Sequence, residues 1–277
     1  MSTARAGRRV SQRHMWLGLV VGVIILYTIS PLVAIITASF DAKSYVTFPP
    51  AQWSLHWYAN LFTQSEFLSA AIFSLWLGVA SALIALAVGL PAAYALVRRS
   101  GKWSHGLQPF FLSPLIVPKI VFGVAIFVFV VKLNMYGNPI SLVLAHAVLS
   151  LPFVIVLLSA AFAVTDPALE DAARDLGAGN VRVFWKILLP QIFVPVIISG
   201  LFAFLNSLDQ LESTIFLTRP GSETLPIAMY NYTLEYQDPT TAALSVITIV
   251  FSLAIAFGLA ALLRGRSLIR AAAGEGR

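Results

Sequence analysis

The sequence predicts an all-α polytopic membrane protein with six transmembrane helices. Three observations carry that prediction. Hydrophobic residues make up 58% of the 277 positions and charged residues only 11%, against about 25% in soluble domains, and mean hydropathy is +0.85. Such a chain cannot cover a water-facing surface of ordinary size, and it is too apolar to stay disordered. The charges are also spaced so that six long apolar stretches lie between or around them, each long enough for the roughly 20 residues a spanning helix needs. Finally, these stretches are apolar on every side and lack the alternation of a membrane β-barrel, so helices are the better solution. The absence of cysteine excludes a disulfide framework, thiolate metal sites and Cys nucleophiles.

The first span covers about 16–39. It follows Arg5, Arg8, Arg9 and Arg13 and so resembles a signal peptide, but the apolar run is too long and no small-residue cleavage site follows. Pro31 falls late in it, which membrane helices tolerate. The loop of about 40–66 carries Trp53, Trp57, Tyr58 and Phe62 with Pro49 and Pro50. Such aromatics favour the membrane boundary, so a surface or re-entrant helix is expected there, with solute contact as the alternative. The remaining spans are expected at about 67–96, 110–131, 140–164, 187–208 and 241–263, the third interrupted by one charge, Lys119.

Basic residues set the orientation. Arg5, Arg8, Arg9 and Arg13 precede span 1; Arg98, Arg99 and Lys102 follow span 2; Arg174, Arg182 and Lys186 follow span 4; Arg264, Arg266, Arg270 and Arg277 follow span 6. The alternate side holds only Lys43, Lys132 and Arg219. By the positive-inside rule both termini are cytoplasmic. The expected organisation is a cytoplasmic basic tail 1–15, a six-helix domain 16–263 and a second cytoplasmic basic tail 264–277. The net charge of +6 is thus a topology signal, and no nucleic-acid partner is implied.

The cytoplasmic loop 165–186 is too long for a tight connector. Thr165-Asp166-Pro167 reads as a helix start, with Thr165 or Asp166 as cap, and Glu170 and Asp171 suit the positive end of the helix dipole. The helix should run over 167–176, with Ala168, Ala172 and Leu176 beside Leu169 and Ala173 as small, apolar stripes. Gly177 and Gly179 then end it. A short helix with a small-residue face suits a partner's groove; an ordinary connecting helix is the alternative.

These residues carry a resemblance. Asp171-Ala172-Ala173, three residues, Gly177, nine residues, Ile187, one residue, Leu189-Pro190 resembles the signature of permease subunits of binding-protein-dependent ABC importers, with Asp171 in place of Glu. Pro114-Leu115-Ile116-Val117-Pro118, Leu151-Pro152-Phe153, Ser207-Leu208-Asp209, Phe216-Leu217-Thr218-Arg219-Pro220 and Leu225-Pro226 are similar to the spermidine/putrescine class. The resemblance covers roughly 67–263. It implies the type I importer architecture and a multi-pass subunit of the bacterial inner membrane. The implied partners are a second permease subunit in a heterodimer, two ATP-binding subunits that hold ATP and Mg, and an extracytoplasmic solute-binding protein. By this resemblance Asp171, Ala172, Ala173 and Gly177 form the ATPase-coupling helix, and Ile187, Leu189 and Pro190 fix it to span 5.

Charges near the membrane are the remaining candidates. Lys119 is costly within a span, roughly 2.5–3.5 kcal/mol on insertion scales, and such residues face a cavity or a counter-charge. Asp209 and Glu212 are three apart and would share a helix face. The three either pair, holding spans 3 and 5 together, or line the translocation pathway. The polyamine class commonly has acids where this chain has Lys119 and Gln210. Both departures remove negative charge, and point to an anionic or zwitterionic solute such as an amino-acid derivative, opine or phosphonate. His14, His56, His105 and His146 lack ligand spacing, so no metal site is expected, and His146 reads as a packing or hydrogen-bonding residue. No phosphate-binding Gly-x-x-x-x-Gly-Lys occurs, so the chain is not expected to hydrolyse ATP or hold a cofactor itself. The competing class, an ATP-independent channel or a membrane-embedded enzyme, would need a ring-forming filter or a positioned nucleophile and base, and the sequence offers neither.

Overall fold

The computed structural model describes residues 3–45, 47–98, 102–219 and 221–274, and the side chains of these except 3–15, 102–105, 108 and 264–274. The arginines of both tails, Arg99, Lys102, His14, His105 and Pro220 therefore lie outside the described side chains. The described residues are helical almost throughout, with no strand longer than an isolated bridge between Asp41 and Trp53.

All six expected spans are found as helical segments, four of them unbroken. These are α1 (Thr3–Ser39), α3 (Ser65–Arg98), α6 (Pro139–Ala163) and α12 (Thr240–Gly274). The third and fifth are bent pairs. α4 (Lys102–Ile116) and α5 (Lys119–Lys132) meet at 111°, and the stretch Asn180–Gln191 meets α10 (Phe193–Leu208) at 78°. The first bend has a clear cause. Pro118 is extended, with φ −54° and ψ 132°, and disfavours helical geometry at Val117 before it. The second falls at Ile192, between Pro190 and Pro195, where missing N–H groups and ring clashes weaken the helix on both sides. α5, with 14 residues, spans only about 21 Å at 1.5 Å per residue, less than the roughly 30 Å of a hydrocarbon core.

The chain forms two compact units, 1–64 with 232–253 and 65–231 with 254–277. The second is built on α3, α6 and α10. Ala82, Ala85 and Ala93 of α3, Val154, Leu158 and Phe162 of α6, and Ala203 of α10 form one buried cluster that also takes in Ile192. Small residues let these helices approach closely, as is usual where lipid removes the hydrophobic drive between helices. A Cβ on Gly89 would lie 2.6 Å from Val154 Cγ1, and one on Gly200 would lie 2.8 Å from Leu86 Cδ1. α6 begins at a capped turn, where the Asn138 side chain accepts from the Ile140 N–H at 2.9 Å.

In the first unit the turn after α1 is organised by Asp41. Its carboxylate accepts from the Lys43 N–H (3.1 Å), the Thr47 N–H (2.9 Å) and the Thr47 hydroxyl. These donors, the Thr47 hydroxyl foremost and then the Lys43 amide, hold its carboxyl below the ordinary value. Trp57, on α2 (His56–Leu61), is buried and donates to the Asp41 carbonyl at 2.6 Å. Trp57 is thus an internal strut, whereas Trp53 and Phe62 are exposed as boundary aromatics would be.

Candidate functional site

The hairpin after α6 is built as its sequence predicts. α7 covers Pro167–Asp175, and Asp166 caps it by accepting from the Ala168 N–H at 2.9 Å. Of the two cap candidates, Thr165 takes another role: its hydroxyl donates back to the Phe162 carbonyl. The far end closes with two backbone bonds, Ala178 N–H to the Ala173 carbonyl (3.0 Å) and Gly177 N–H to the Arg174 carbonyl (2.8 Å). That double bond pattern needs a left-handed residue at Gly177, which has φ +83°. A Cβ there would meet nothing within 4 Å, so the requirement on Gly177 is conformational rather than spatial.

α7 has two faces. Toward the core, Glu170 is 2% exposed. It accepts from Arg98 Nε (2.8 Å), the Tyr94 hydroxyl (2.8 Å) and Arg174 Nη2 (3.2 Å). Arg98 also donates through Nη2 to the Thr165 carbonyl (3.0 Å) and hydroxyl. The other face is open. Asp171 and Ala172 are exposed, Ala173 is half-buried, and Leu169 and Leu176 are exposed. Asp171 neither caps the helix nor reaches the core; it pairs with Arg174 of its own helix at 2.9 Å. Beyond Gly177 a cleft of about 470 Å³ opens, lined by residues including Asn180, Arg182, Trp185 and Lys186.

The link to span 5 differs from a plain helix start. α8 (Asn180–Val183) runs into a π-helical turn, Phe184–Leu188, then α9 (Leu189–Gln191), before the bend at Ile192. Ile187 and Leu189 are half-buried and Pro190 is exposed, while Val183 and Leu188 are the buried anchors. The expected span at 187–208 is therefore two helices, with Ile187, Leu189 and Pro190 on the near side of the bend.

The three charges expected on the pathway are separated from helix interiors. Lys119 is the first residue of α5, exposed at the bend. Asp209 follows the last residue of α10, and Glu212 lies in the turn beyond it. The expectation that these two acids share a helix face is corrected: α10 stops at Leu208, so no helix runs between them. None of the three takes part in the ion pairs found among the described residues. What joins α5 to this segment is Gly123, where a Cβ would lie 2.5 Å from Ser213 Cα. Lys119 sits one turn before Gly123 on the same stripe of α5.

A buried polar network beneath this segment was only partly foreseen. His146 is 1% exposed. Its Nδ1 is 2.7 Å from the Ser207 hydroxyl and its Nε2 is 3.0 Å from the Thr214 hydroxyl. Thr214 donates its own proton to the Gln210 carbonyl at 2.7 Å, so it accepts from His146, whose Nε2 carries the hydrogen. The other ring nitrogen, Nδ1, shares its hydrogen bond with the Ser207 hydroxyl. His146 is a hydrogen-bonding residue, as the sequence suggested. Its ties to Ser207 and Thr214 had no sequence signal.

Residues 84–267 match the family described as binding-protein-dependent transport system inner membrane component. The chain is 33% identical over 237 residues to the putrescine transport system permease protein PotI of Escherichia coli (strain K12), covering 83% of each. It is 30% identical over 235 residues to the spermidine/putrescine transport system permease protein PotC of Haemophilus influenzae, covering 84% of this chain and 90% of that one. In fold it resembles a chain of a bacterial ABC transporter involved in the import of the acidic polysaccharide alginate, with TM-score 0.70 and 17% identity over 93% of this chain and 97% of that one. With its several membrane-spanning helices, this chain is a multi-pass inner-membrane protein and belongs to the family of inner membrane components of binding-protein-dependent transport systems.

Proposed function

We propose that this chain is one permease subunit of an ATP-driven importer and passes a small polar solute by alternating access. Both termini face the cytoplasm, by the bias of basic residues. A second, different permease subunit completes the pathway. Two ATP-binding subunits, holding ATP and Mg, dock beneath, and an extracytoplasmic binding protein delivers the solute. The observation that carries this reading is the two-faced α7: one side is bonded into the core through Glu170, and the other leaves Leu169, Ala172 and Leu176 without cover. Asp171, Ala172 and Ala173 lie on the docking helix, and Gly177 makes the turn that ends it. Ile187, Leu189 and Pro190 join it to the bend before α10.

Replacing half-buried Ala173 by Phe tests this. In a complex reconstituted with its ATP-binding subunits and binding protein, the variant should insert and assemble, yet lose solute uptake relative to ATP hydrolysed. Unchanged uptake per ATP rejects the docking role.

The relatives favour a polyamine as solute. A second reading rests on Lys119, an exposed cation at the α4–α5 bend that no carboxylate neutralises among the described residues. It favours an anionic or zwitterionic solute such as an amino-acid derivative, opine or phosphonate. Asp209 and Glu212, which likewise form no ion pair among the described residues, suit a zwitterion or an amine. Uptake measured against spermidine, putrescine, a zwitterionic amino acid and an anionic analogue separates the readings.

A further inference from the structure

The docking helix is tied to the rest of the protein by more than its own chain. Along the sequence, α7 connects backward to α6 through Val164 and Thr165. It connects forward to α10 only through the π-helical turn and the 78° bend at Ile192. The third connection is lateral. Glu170 is buried against the end of α3, where Arg98 Nε bonds its Oε1 at 2.8 Å and the Tyr94 hydroxyl bonds its Oε2 at 2.8 Å. The same guanidinium reaches the Thr165 carbonyl at 3.0 Å. A single arginine thus clamps both the α6–α7 linker and α7 itself. Its planar fork makes this possible, and a lysine could not reproduce it. Tyr94 is fixed in turn by packing edge-on against Phe162, with ring centroids 5.5 Å apart, and Phe162 is fully buried in the α3–α6–α10 cluster. Removing one member of such a buried charged cluster is costly, which makes the joint stiff.

We infer that Arg98 and Glu170 are positioning residues that make α3 a lever of the docking helix. A displacement imposed on α7 passes sideways into α3 through this joint, and not only along the chain into α10. α3 runs unbroken for 34 residues. From Ser69 to Arg98 that is about 44 Å of helix at 1.5 Å per residue, long enough to carry the movement across a bilayer. Pro91 removes one backbone bond near the joint, yet the helix continues through it. The inference rests on the importer reading above and specifies which helix the ATP-binding subunits move.

The chain has no cysteine, so one reporter thiol is unique within it, and its labelling is read on this chain after the subunits are separated. Ser69→Cys sits on the exposed face near the far end of α3. The complex with its ATP-binding subunits is placed in nanodiscs, and the reporter's rate with N-ethylmaleimide is compared with and without ATP plus vanadate. With Arg98 and Glu170 intact, the rate should change with nucleotide. With Glu170→Gln the change should shrink by about tenfold, within the range of site-to-site coupling, while Glu170→Asp retains part of it. A reporter that ignores nucleotide in the intact chain overturns the inference, as does a Glu170→Gln variant that responds in full. Should Glu170→Gln fail to assemble, Arg98→Lys decides. It keeps the charge but lacks the fork, so a full response there also overturns the inference. Failure of the importer reading itself looks different: the intact chain would neither bind the ATP-binding subunits nor support ATP-driven uptake.

Discussion

Among the described residues two acids, Asp41 and Glu170, leave water, and they are held in opposite ways. Asp41 is satisfied by donors within six residues of it, the Thr47 hydroxyl and the amides of Lys43 and Thr47. Glu170 is satisfied by Arg98 and Tyr94, 72 and 76 positions away, and by Arg174 one turn along. The first arrangement closes a turn and nothing more, because neutral local donors bind a carboxylate without joining elements. The second joins two helices. Local donors make a loop rigid in itself; distant cations make one element follow another. That contrast separates the turn after α1, a fixed shape, from the α7 hairpin, a mechanical link.

The largest effect should come from breaking the distant case. Glu170→Ala leaves Arg98 without its acid in a mostly buried site, and such losses cost about 3–5 kcal/mol. Arg98 keeps its bonds to Thr165, and the Arg174 side chain is 38% exposed, so the lower end, about 3 kcal/mol, is expected. Thermal unfolding in detergent should show a lowered midpoint, and amide exchange should accelerate over 167–178. An unchanged midpoint would mean that α7 is held by its chain connections alone, and the contrast with Asp41 would collapse.

The local case gives a smaller effect with a definite pH signature. The folded-state carboxyl of Asp41 titrates below its ordinary value of 3.8. Its contribution is therefore complete above that value and is lost as pH falls through the lower folded value. Between neutral pH and about 5 the turn should be indifferent to pH. Below 3.8, the emission of tryptophans near the turn should begin to shift. Asp41→Asn should remove that acid transition and leave the α7 hairpin untouched. If the transition survives in Asp41→Asn, the turn is held by Trp57 and its carbonyl bond instead.

The same contrast explains what the sequence could say. Span positions follow from hydropathy, which is additive along the chain, and α7 follows from cap, dipole and glycine signals within a few residues. The Gly177 turn was legible for that reason. The Arg98–Glu170 joint was not, since nothing in either neighbourhood marks the other, and Glu170 already had a sufficient local reason as an acid in the first turns of a helix. The two bends were hidden differently. Pro114, Pro118, Pro190 and Pro195 were visible, but membrane helices often continue through proline, as α3 does at Pro91 and α6 at Pro152. Nothing near each proline marks which of them breaks its helix, and the close approach of Gly123 to Ser213 just beyond the first bend joins positions 90 apart in the chain. The expected face shared by Asp209 and Glu212 failed because α10 ends at Leu208, where Asp209 adopts φ −92° and ψ 6°.

The smallest effect on stability, and the sharpest on function, should come from Lys119. It is exposed, begins a helix, and takes part in no ion pair among the described residues. Substitutions at such positions usually stay within about 0.5 kcal/mol. Lys119→Asp should therefore unfold at nearly the midpoint of the intact chain, in contrast to Glu170→Ala. Placing an acid at the start of α5 also suits the positive end of the helix dipole, which works against any destabilisation. Uptake is where the charge should register. If the intact protein carries zwitterions or anions and the aspartate variant loses them, Lys119 lies on the solute's path. If polyamines pass equally well before and after the change, Lys119 is a bystander at the bend and the relatives' putrescine names the solute. A large fall in unfolding midpoint would contradict both, because it would give Lys119 a structural partner. A charge held by the fold and a charge left for a passing molecule would then no longer be distinguishable by their bonds alone.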